Sequence, residues 1–170
     1  MKLPITIGFM LLALVPLAPA QAAGEQSCNV TVDVVDPDPK GTNVRAAPGG
    51  AVLAALKNPG EGWIEVHIAA QSGDWYEIDR ASLIETDPAG KIIFQGKGYV
   101  HKSMLGVSGM RNGGAIYSDH DSGSAPLVLH AAGDQPVQLL GCWGEFLKVH
   151  VKAGNGWTRE ACTNMNTTCV

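Results

Sequence analysis

The sequence has few basic side chains, and this shortage argues against one broad class of partner. Its 170 residues contain 12 Lys and Arg against 16 Asp and Glu, which gives a formal net charge of -4 with histidine neutral. Proteins that bind nucleic acid or anionic lipid use clustered positive charge, because phosphates must be neutralised. We therefore expect neither nucleic acid nor an anionic membrane surface as a partner.

The sequence also lacks the motifs that carry common catalytic chemistry. It contains no G-x-S-x-G nucleophile turn, no H-E-x-x-H pair and no phosphate-binding glycine loop. Its cysteines form no C-x-x-C pair and its histidines are scattered, so no ligand spacing predicts a metal site. We expect a protein without catalytic residues, metal or cofactor.

Long apolar runs are confined to the N-terminus. Lys2 precedes an apolar segment, residues 3–17, and two small-x-small patterns end at Ala20 and Ala22. This order is typical of a secretory signal peptide, and the apolar segment is too short for a stable transmembrane helix. We predict a signal peptide over residues 1–20, cleaved after Ala20 or Ala22, and a periplasmic or secreted mature protein.

Glycine and proline punctuate the rest of the chain. The 21 Gly and 10 Pro separate short runs that are rich in β-branched residues. Several runs alternate polar with apolar residues, most clearly residues 28–35, CNVTVDVV, and residues 63–69, WIEVHIA. Alternation with period two is typical of strands that bury one face. The chain is therefore predicted to be all-β.

Three segments in a fixed order resemble the bacterial SH3 (SH3b) domain family. They are Asn43-Val44-Arg45 with Pro48, then Gly73-Asp74-Trp75, then Gly98 to Leu105, GYVHKSML. The family pattern has an N-V-R-x-x-P opening, a G-x-W strand and a closing G-W-V strand. The resemblance covers residues 40–105 most clearly. It implies a small β-barrel and leaves the ligand open, because these elements mainly determine the fold.

The second half repeats this order in a degenerate form. The distance along the chain from Asn43 to Ala115 is almost the same as that from Trp75 to Phe146. A constant offset is the signature of a duplicated unit. The resemblance therefore implies two small SH3-like β-barrels in tandem. We place the first, with an N-terminal strand, at residues 21–106, and the second, with a C-terminal disulfide segment, at residues 107–170.

The first copy departs from the family pattern by an insertion, residues 79–97, where a short loop is expected. Within it, residues 82–86 and 91–95 flank Asp87-Pro88-Ala89-Gly90, a β-turn sequence. We predict an inserted β-hairpin that projects from the first barrel. Its apolar residues cannot all face one barrel core, and they are consecutive in the chain: Ile92, Ile93 and Phe94.

The resemblance implies a binding role. SH3-like barrels commonly bind peptides in a groove with aromatic walls. We predict a non-catalytic protein that recognises peptidoglycan stem peptides or other cell-envelope components, with contacts from Trp143, Tyr76, Tyr99 and Arg45. Trp143 lies in a Gly-Cys-Trp-Gly loop and is the preferred exposed contact, whereas Trp75 and Trp157 are predicted to fill the barrel cores.

A second hypothesis makes the inserted hairpin the functional element. The protein would then be an accessory subunit or an inhibitor of an envelope protein, and the apolar residues of the hairpin would contact that partner. Deletion of the hairpin separates the two hypotheses, because only the second requires it for binding.

Four cysteines in an exported chain imply two disulfides with three possible pairings. In an SH3-like barrel, the loop before the Phe146 strand lies beside the turn after the Trp157 strand. The resemblance therefore favours Cys142–Cys162 together with Cys28–Cys169. The alternative, Cys28–Cys142 together with Cys162–Cys169, stays open.

Overall fold

The computed structural model describes residues 25–85, 87, 90–111, 114–121, 123–128, 137–151 and 154–163. The predicted signal peptide and Cys169 lie outside these ranges, as do Pro88 and Ala89 of the predicted turn. Within the described ranges, no helix has the length and the apolar character needed to cross a bilayer.

The described residues of the first part of the chain form seven strands. They are β1 (Gln26–Val34), β2 (Thr42–Arg45), β3 (Val52–Leu56), β4 (Trp63–Ser72), β5 (Trp75–Ile84), β6 (Lys91–His101) and β7 (Leu105–Val107). Strands β4, β5 and β6 form an antiparallel meander. Strand β2 pairs with β6, β3 pairs with β2, and β1 pairs with β4 on the other side. The confirmed class is all-β.

The described residues of the second part add seven strands. They are β8 (Gly109–Met110), β9 (Ile116–Tyr117), β10 (Pro126–Val128), β11 (Val137–Trp143), β12 (Phe146–Val151), β13 (Gly154–Thr158) and β14 (Ala161–Cys162). Strands β11, β12 and β13 form a second meander, β13 pairs with β9, and β9 pairs with β10. Strands β8 and β14 form a separate two-stranded sheet.

The twelve remaining strands form one sheet in which the same order occurs twice. From the centre outward, one half reads β1-β4-β5-β6-β2-β3 and the other β7-β11-β12-β13-β9-β10. Equivalent glycines make equivalent approaches: a Cβ at Gly98 would collide with Val44, and a Cβ at Gly156 would collide with Ile116. Val44 and Ile116 directly follow Asn43 and Ala115, so they are separated by the same offset as the predicted copies.

The two halves meet along a shared sheet. Strand β1 pairs with β7 through Asp33–Gly106 and Val34–Leu105, and β7 pairs with β11 through Val107–Val137. The predicted boundary between residues 106 and 107 falls inside β7, so backbone hydrogen bonds continue across it. The order of the described strands runs from β10 at one end to β3 at the other.

The core lies on the inner faces of these strands. Alternate residues of β4, namely Ile64, Val66 and Ile68, are at most 2% exposed, as period-two patterning requires. Each such side chain contributes about 1.5–3 kcal/mol through burial of its apolar surface. Buried residues of both halves belong to one continuous hydrophobic cluster, so the halves share a core as well as a sheet.

The predicted hairpin is present, but as the continuation of β5 and β6 rather than as a separate projection. Strand β4 runs alongside it through the pair Trp63–Ile84. A bulge opposite Ala81 breaks the alternation of β6, and Ile93 and Phe94 both pack against the core. Ile92 is 51% exposed. Ile93 and Phe94 are partly buried, so Ile92 is the exposed member of the predicted contact set, and the contact role of the three stays a prediction.

One disulfide joins the two halves, and it corrects the favoured cysteine pairing. Cys28 is bonded to Cys142, with 5.8 Å between their Cα atoms. The favoured Cys142–Cys162 bond is therefore wrong, because β1 lies against the turn after β11. Gly144 fixes this approach: its N–H donates to Ser27 O (3.0 Å) and its oxygen accepts from Asn29 N (2.7 Å). Cys162 is also disulfide-bonded.

Candidate functional site

Strand register places a set of large side chains on one open face of the second meander. Trp143 lies directly opposite Phe146, and Lys148 lies directly opposite Trp157. Phe146 and Lys148 alternate with Leu147 on β12, so their side chains leave the same face of the sheet. Leu147, between them, points the other way and is 2% exposed. We call this outward surface the aromatic face.

A histidine from a loop completes the aromatic face. The ring centroid of His120 lies 4.3 Å from that of Trp143 and 5.3 Å from that of Trp157. The His120 ring is tilted by 43° to that of Trp143 and meets that of Trp157 edge-on at 61°, so the three rings form an aromatic cluster. Ring pairs at such separations contribute about 0.5–1.5 kcal/mol beyond burial of their surface. Trp143 nevertheless stays 46% exposed. The aromatic cluster therefore holds the Trp143 indole in position while leaving part of its surface open.

Asp119 orients the histidine of the aromatic cluster. Its Oδ1 accepts from the backbone N–H of His120 (2.8 Å) and lies 2.5 Å from the Nδ1 of that ring. The backbone hydrogen bond, followed by the charge of the imidazole, lowers the pKa of the Asp119 carboxyl below its ordinary value. Asp119 is therefore ionised at neutral pH and holds the ring against Trp143.

Cationic groups border the aromatic face. Lys148 Nζ lies 5.5 Å from the ring centre of Trp157, and Arg159 Cζ lies 5.1 Å from that of Phe146. Arg159 also lies 3.7 Å from Glu145 Oε2, but both side chains are exposed, and such pairs contribute little. The face thus combines apolar rings with cations, which suits a ligand with flat apolar surfaces and negative groups.

The structure does not bring the four predicted contact residues together. Trp143 lies on the aromatic face, whereas the other three lie in the first half. Tyr76 is completely buried, so its predicted role as a ligand contact is wrong: it alternates inward on β5. Tyr99 is 9% exposed and donates to Glu77 Oε2, and Arg45 donates from Nη1 to Gly50 O (2.8 Å).

The face of the first half is occupied by its own side chains. Lys97 Nζ lies 2.5 Å from Glu77 Oε2 and 5.4 Å from the ring centre of Tyr99. Burial opposes ionisation of Glu77, but hydrogen bonds from Lys97 and its neighbours outweigh this effect and lower the pKa of the carboxyl. Glu77 and Lys148 each lie two positions after the aligned aromatic residues, Trp75 and Phe146. The equivalent position thus carries opposite charge in the two halves.

Two tryptophans that were predicted to fill barrel cores lie elsewhere. Trp75 and Trp157 are both half-buried and face outward, Trp75 in edge contact with the ring of His101 at 5.1 Å. The core side of these strands is filled instead by Tyr76 and by aliphatic residues. Aromatic rings therefore cover the outer surface of the sheet, where period-two alternation places them.

We expect Tyr76→Phe to leave the protein at least as stable as the native chain. The Tyr76 hydroxyl is buried and has no hydrogen-bond partner among the described residues, and an unsatisfied buried polar group costs about 1–3 kcal/mol. Burial also raises the pKa of this phenol far above its ordinary value. Urea denaturation measures the effect. A loss of more than about 1 kcal/mol would show that the hydroxyl has a stabilising partner.

These features define an all-β protein. A disulfide cross-links two half-sheets with the same strand order, and the second half-sheet carries the aromatic face. No family model and no curated protein matches the sequence. Among solved structures, the chain is similar to one titled "Structure of NlpC1 from Trichomonas vaginalis", at 12% sequence identity and a TM-score of 0.32. The match covers 82% of this chain and 48% of that chain. The chain thus spans about half the length of that protein.

Proposed function

We propose that the protein is a non-catalytic binding protein of the cell envelope that recognises peptidoglycan through its aromatic face. The observation that carries the proposal is the open aromatic cluster of Trp143, His120 and Trp157. Trp143 is held by ring contacts on one side and is 46% exposed on the other. A positioned, exposed aromatic ring bordered by polar groups is a common form of binding surface.

The chemistry of peptidoglycan suits this surface. The apolar faces of its sugar rings can lie on the indole rings, while the carboxylates of its stem peptides can meet the cations of Lys148 and Arg159. A compartment that contains this polymer is also consistent with the Cys28–Cys142 disulfide, because disulfides persist in oxidising environments. The predicted signal peptide supports the same location.

We also propose that the half-sheets are two SH3b-like units, the second of which is the binding unit. The repeated strand order and the equivalent Gly98 and Gly156 contacts support a duplication. The SH3b-like motifs of the first unit support the family. In this proposal the first unit is mainly structural, because the polar groups of its outer face bind one another through Glu77 and Lys97.

Co-sedimentation with purified peptidoglycan sacculi tests the proposal. We expect saturable pelleting of the mature, oxidised protein, and an apparent affinity at least about tenfold weaker for Trp143→Ala, since hot-spot aromatics contribute about 2 kcal/mol or more. Leu53→Ala is the matched control, because Leu53 is 54% exposed on β3 in the other half. The control should pellet like the native protein.

Two outcomes would contradict this proposal. If the native protein does not pellet, peptidoglycan is not its ligand. If Trp143→Ala pellets as well as the native protein, the aromatic face is not the binding site. Near-ultraviolet circular dichroism of each variant shows whether the fold is retained, so that a loss of binding is not confused with unfolding.

The hairpin hypothesis receives less support from the packing. Ile93 and Phe94 pack against the core, which leaves Ile92 as the exposed member of the predicted contact set. One exposed isoleucine is ordinary on a soluble protein. We therefore assign the proposed binding role to the aromatic face and not to the hairpin.

A further inference from the structure

A row of side chains on the aromatic face continues onto the two outer strands of the second half, β9 and β10. Lys148 lies directly opposite Trp157. Trp157 in turn lies directly opposite Tyr117, and Tyr117 lies directly opposite Pro126. Directly opposite residues project from the same face of a sheet. We call these four residues the cross-strand row.

The residues next to the cross-strand row show that it faces outward. Ile116, which precedes Tyr117, is 1% exposed and belongs to the core. Gly156, which precedes Trp157, is buried, and a Cβ there would collide with Ile116. Since side chains alternate along a strand, Tyr117 and Trp157 point away from the core. Both rings are half-buried, and Pro126 is exposed.

The length of the row suits a ligand made of several units. The strands lie in the order β11-β12-β13-β9-β10. Neighbouring strands are about 4.8 Å apart, so the backbones of β12 and β10 are separated by about 14 Å. Trp143 on β11 extends the line to about 19 Å. This line is longer than a single sugar ring, so an extended ligand can meet one flat side chain after another.

Charge is distributed unevenly along this line. Lys148 is on β12 and Arg159 directly follows β13, so both cations lie on the side of Trp143. Strands β9 and β10 contain no charged residue. A negative group of the ligand is therefore expected near the two cations. The part of the ligand that crosses Tyr117 and Pro126 is expected to be uncharged.

An open acceptor beside the aromatic cluster suits hydroxyl groups. The ionised side chain of Asp119, which holds His120 against Trp143, is 65% exposed. Its Oδ2 atom has no partner among the described residues. A carboxylate oxygen accepts hydrogen bonds from hydroxyl groups and repels other carboxylates. Sugars, which have apolar ring faces and hydroxyl edges, therefore match this region better than an acidic peptide does.

We propose that the aromatic face binds a glycan chain of several sugar rings that lies across the strands, with Tyr117 and Pro126 as its far subsite. The chain runs from Trp143 to Pro126, and carboxylates of the polymer meet Lys148 and Arg159. The inference rests on the proposed function, because it takes the aromatic face as the binding site. It adds that the recognised part of peptidoglycan is the glycan and not the stem peptide.

The test uses two glycan fragments of peptidoglycan, a disaccharide and an octasaccharide, from which the stem peptides have been removed enzymatically. Isothermal titration of the mature, oxidised protein should show the octasaccharide binding at least about tenfold more tightly, because it covers more of the line. Tyr117→Ala should remove most of this gain. It should change the affinity for the disaccharide less than about twofold, since Trp143 is retained. Tyr117→Phe keeps the ring and should keep the gain.

Leu127→Ala is the matched control for Tyr117→Ala. Leu127 follows Pro126 on β10 and is 55% exposed. It lies on the other side of the sheet, where a Cβ at Gly156 would be 3.2 Å from its Cδ1. The control should therefore keep the gain of the octasaccharide. Near-ultraviolet circular dichroism reports the fold, and Tyr117→Leu, which retains apolar bulk, replaces Tyr117→Ala if that variant does not fold.

Three results would overturn the proposal. They are equal affinity for the two fragments, a gain that survives removal of the Tyr117 ring, and an equal loss in the Leu127→Ala control. A free stem peptide tests the ligand class and should bind more weakly than the octasaccharide. If the peptide binds as tightly, the face recognises the peptide and not the glycan.

The experiment separates failure of this inference from failure of the proposed function. Sacculi that bind through Trp143, without any gain for the longer fragment, would keep the proposed function and remove the far subsite. Sacculi that do not bind, together with a gain that depends on Tyr117, would keep a glycan site and overturn peptidoglycan as its natural ligand. If neither sacculi nor fragments bind, both proposals fail.

Discussion

Replacement of both Cys28 and Cys142 by alanine is expected to lower the free energy of unfolding by about 4–5 kcal/mol. The two cysteines have a sequence separation of 114, so the bond restricts most of the unfolded chain. A loop of this size has a large closure entropy, and its loss expands the unfolded ensemble. The bond also joins the first strand of one half to the hairpin of the other.

Urea denaturation of the native and double-variant proteins measures this effect. We expect a lower midpoint and a larger dependence on urea, because a chain without the cross-link exposes more surface when it unfolds. A double serine variant serves as a second comparison: both cysteines are at most 6% exposed, so two buried hydroxyls should cost still more. A loss below about 2 kcal/mol for the alanine pair would contradict the expectation.

The second large effect is a dependence of stability on pH that arises from Asp33. This side chain is completely buried on β1; its Oδ2 accepts from Ser108 Oγ at 2.5 Å, and its Oδ1 has no partner among the described residues. Burial raises the pKa of Asp33 to about 7, and the nearby carboxylate of Glu65 adds to the rise, while hydrogen bonds from Ser108 oppose it.

The direction of the effect follows from the raised pKa. The folded protein holds the Asp33 proton more tightly than the unfolded chain, in which the pKa is near 3.8. The contribution of Asp33 to the free energy of unfolding is therefore fully present below about pH 4 and is lost as the pH rises towards 7. A shift of this size corresponds to about 4 kcal/mol, since one pKa unit is equivalent to about 1.4 kcal/mol.

Asp33→Asn should remove this dependence. We expect the stability of the variant relative to the native protein to improve by up to about 4 kcal/mol between pH 4 and pH 8. Any effect of the new amide on the free energy of unfolding that does not change with pH cancels in this difference. Glu85→Gln, which changes an exposed carboxylate, is the control and should follow the native profile. If Asp33→Asn runs parallel to the native protein across this range, Asp33 titrates normally.

The regular part of the fold could be predicted from local sequence pattern. Alternation at residues 63–69 predicts β4. The predicted offset between the two copies is also the separation of Val44 and Ile116, which contact the equivalent glycines of the two halves. These features depend on neighbours along one strand or on spacing between copies, and both can be read directly from the sequence. The bulge that turns Ile93 and Phe94 towards the core depends on packing between strands, so the run of three apolar residues could not show which of them is exposed.

The candidate site was harder to predict because it depends on register between distant segments. The Gly-Cys-Trp-Gly context correctly predicted that Trp143 is exposed. The contact between Trp143 and His120 requires the loop after β9 to fold over β13, and no local pattern encodes that approach. The favoured cysteine pairing was wrong for the same reason, because the pairing depends on β1 lying between β4 and β7. The Cys28–Cys142 bond of the alternative pairing is the one that the structure shows.

The Cys28–Cys142 bond has a consequence for the order of oxidative folding. Cys28 and Cys142 are successive cysteines of the sequence, with no other cysteine between them. An oxidant that joins each new cysteine to the one before it therefore makes this native bond before Cys162 emerges. Correct pairing requires no exchange with an earlier, wrong partner, so the half-sheets can be locked together without help from a disulfide isomerase.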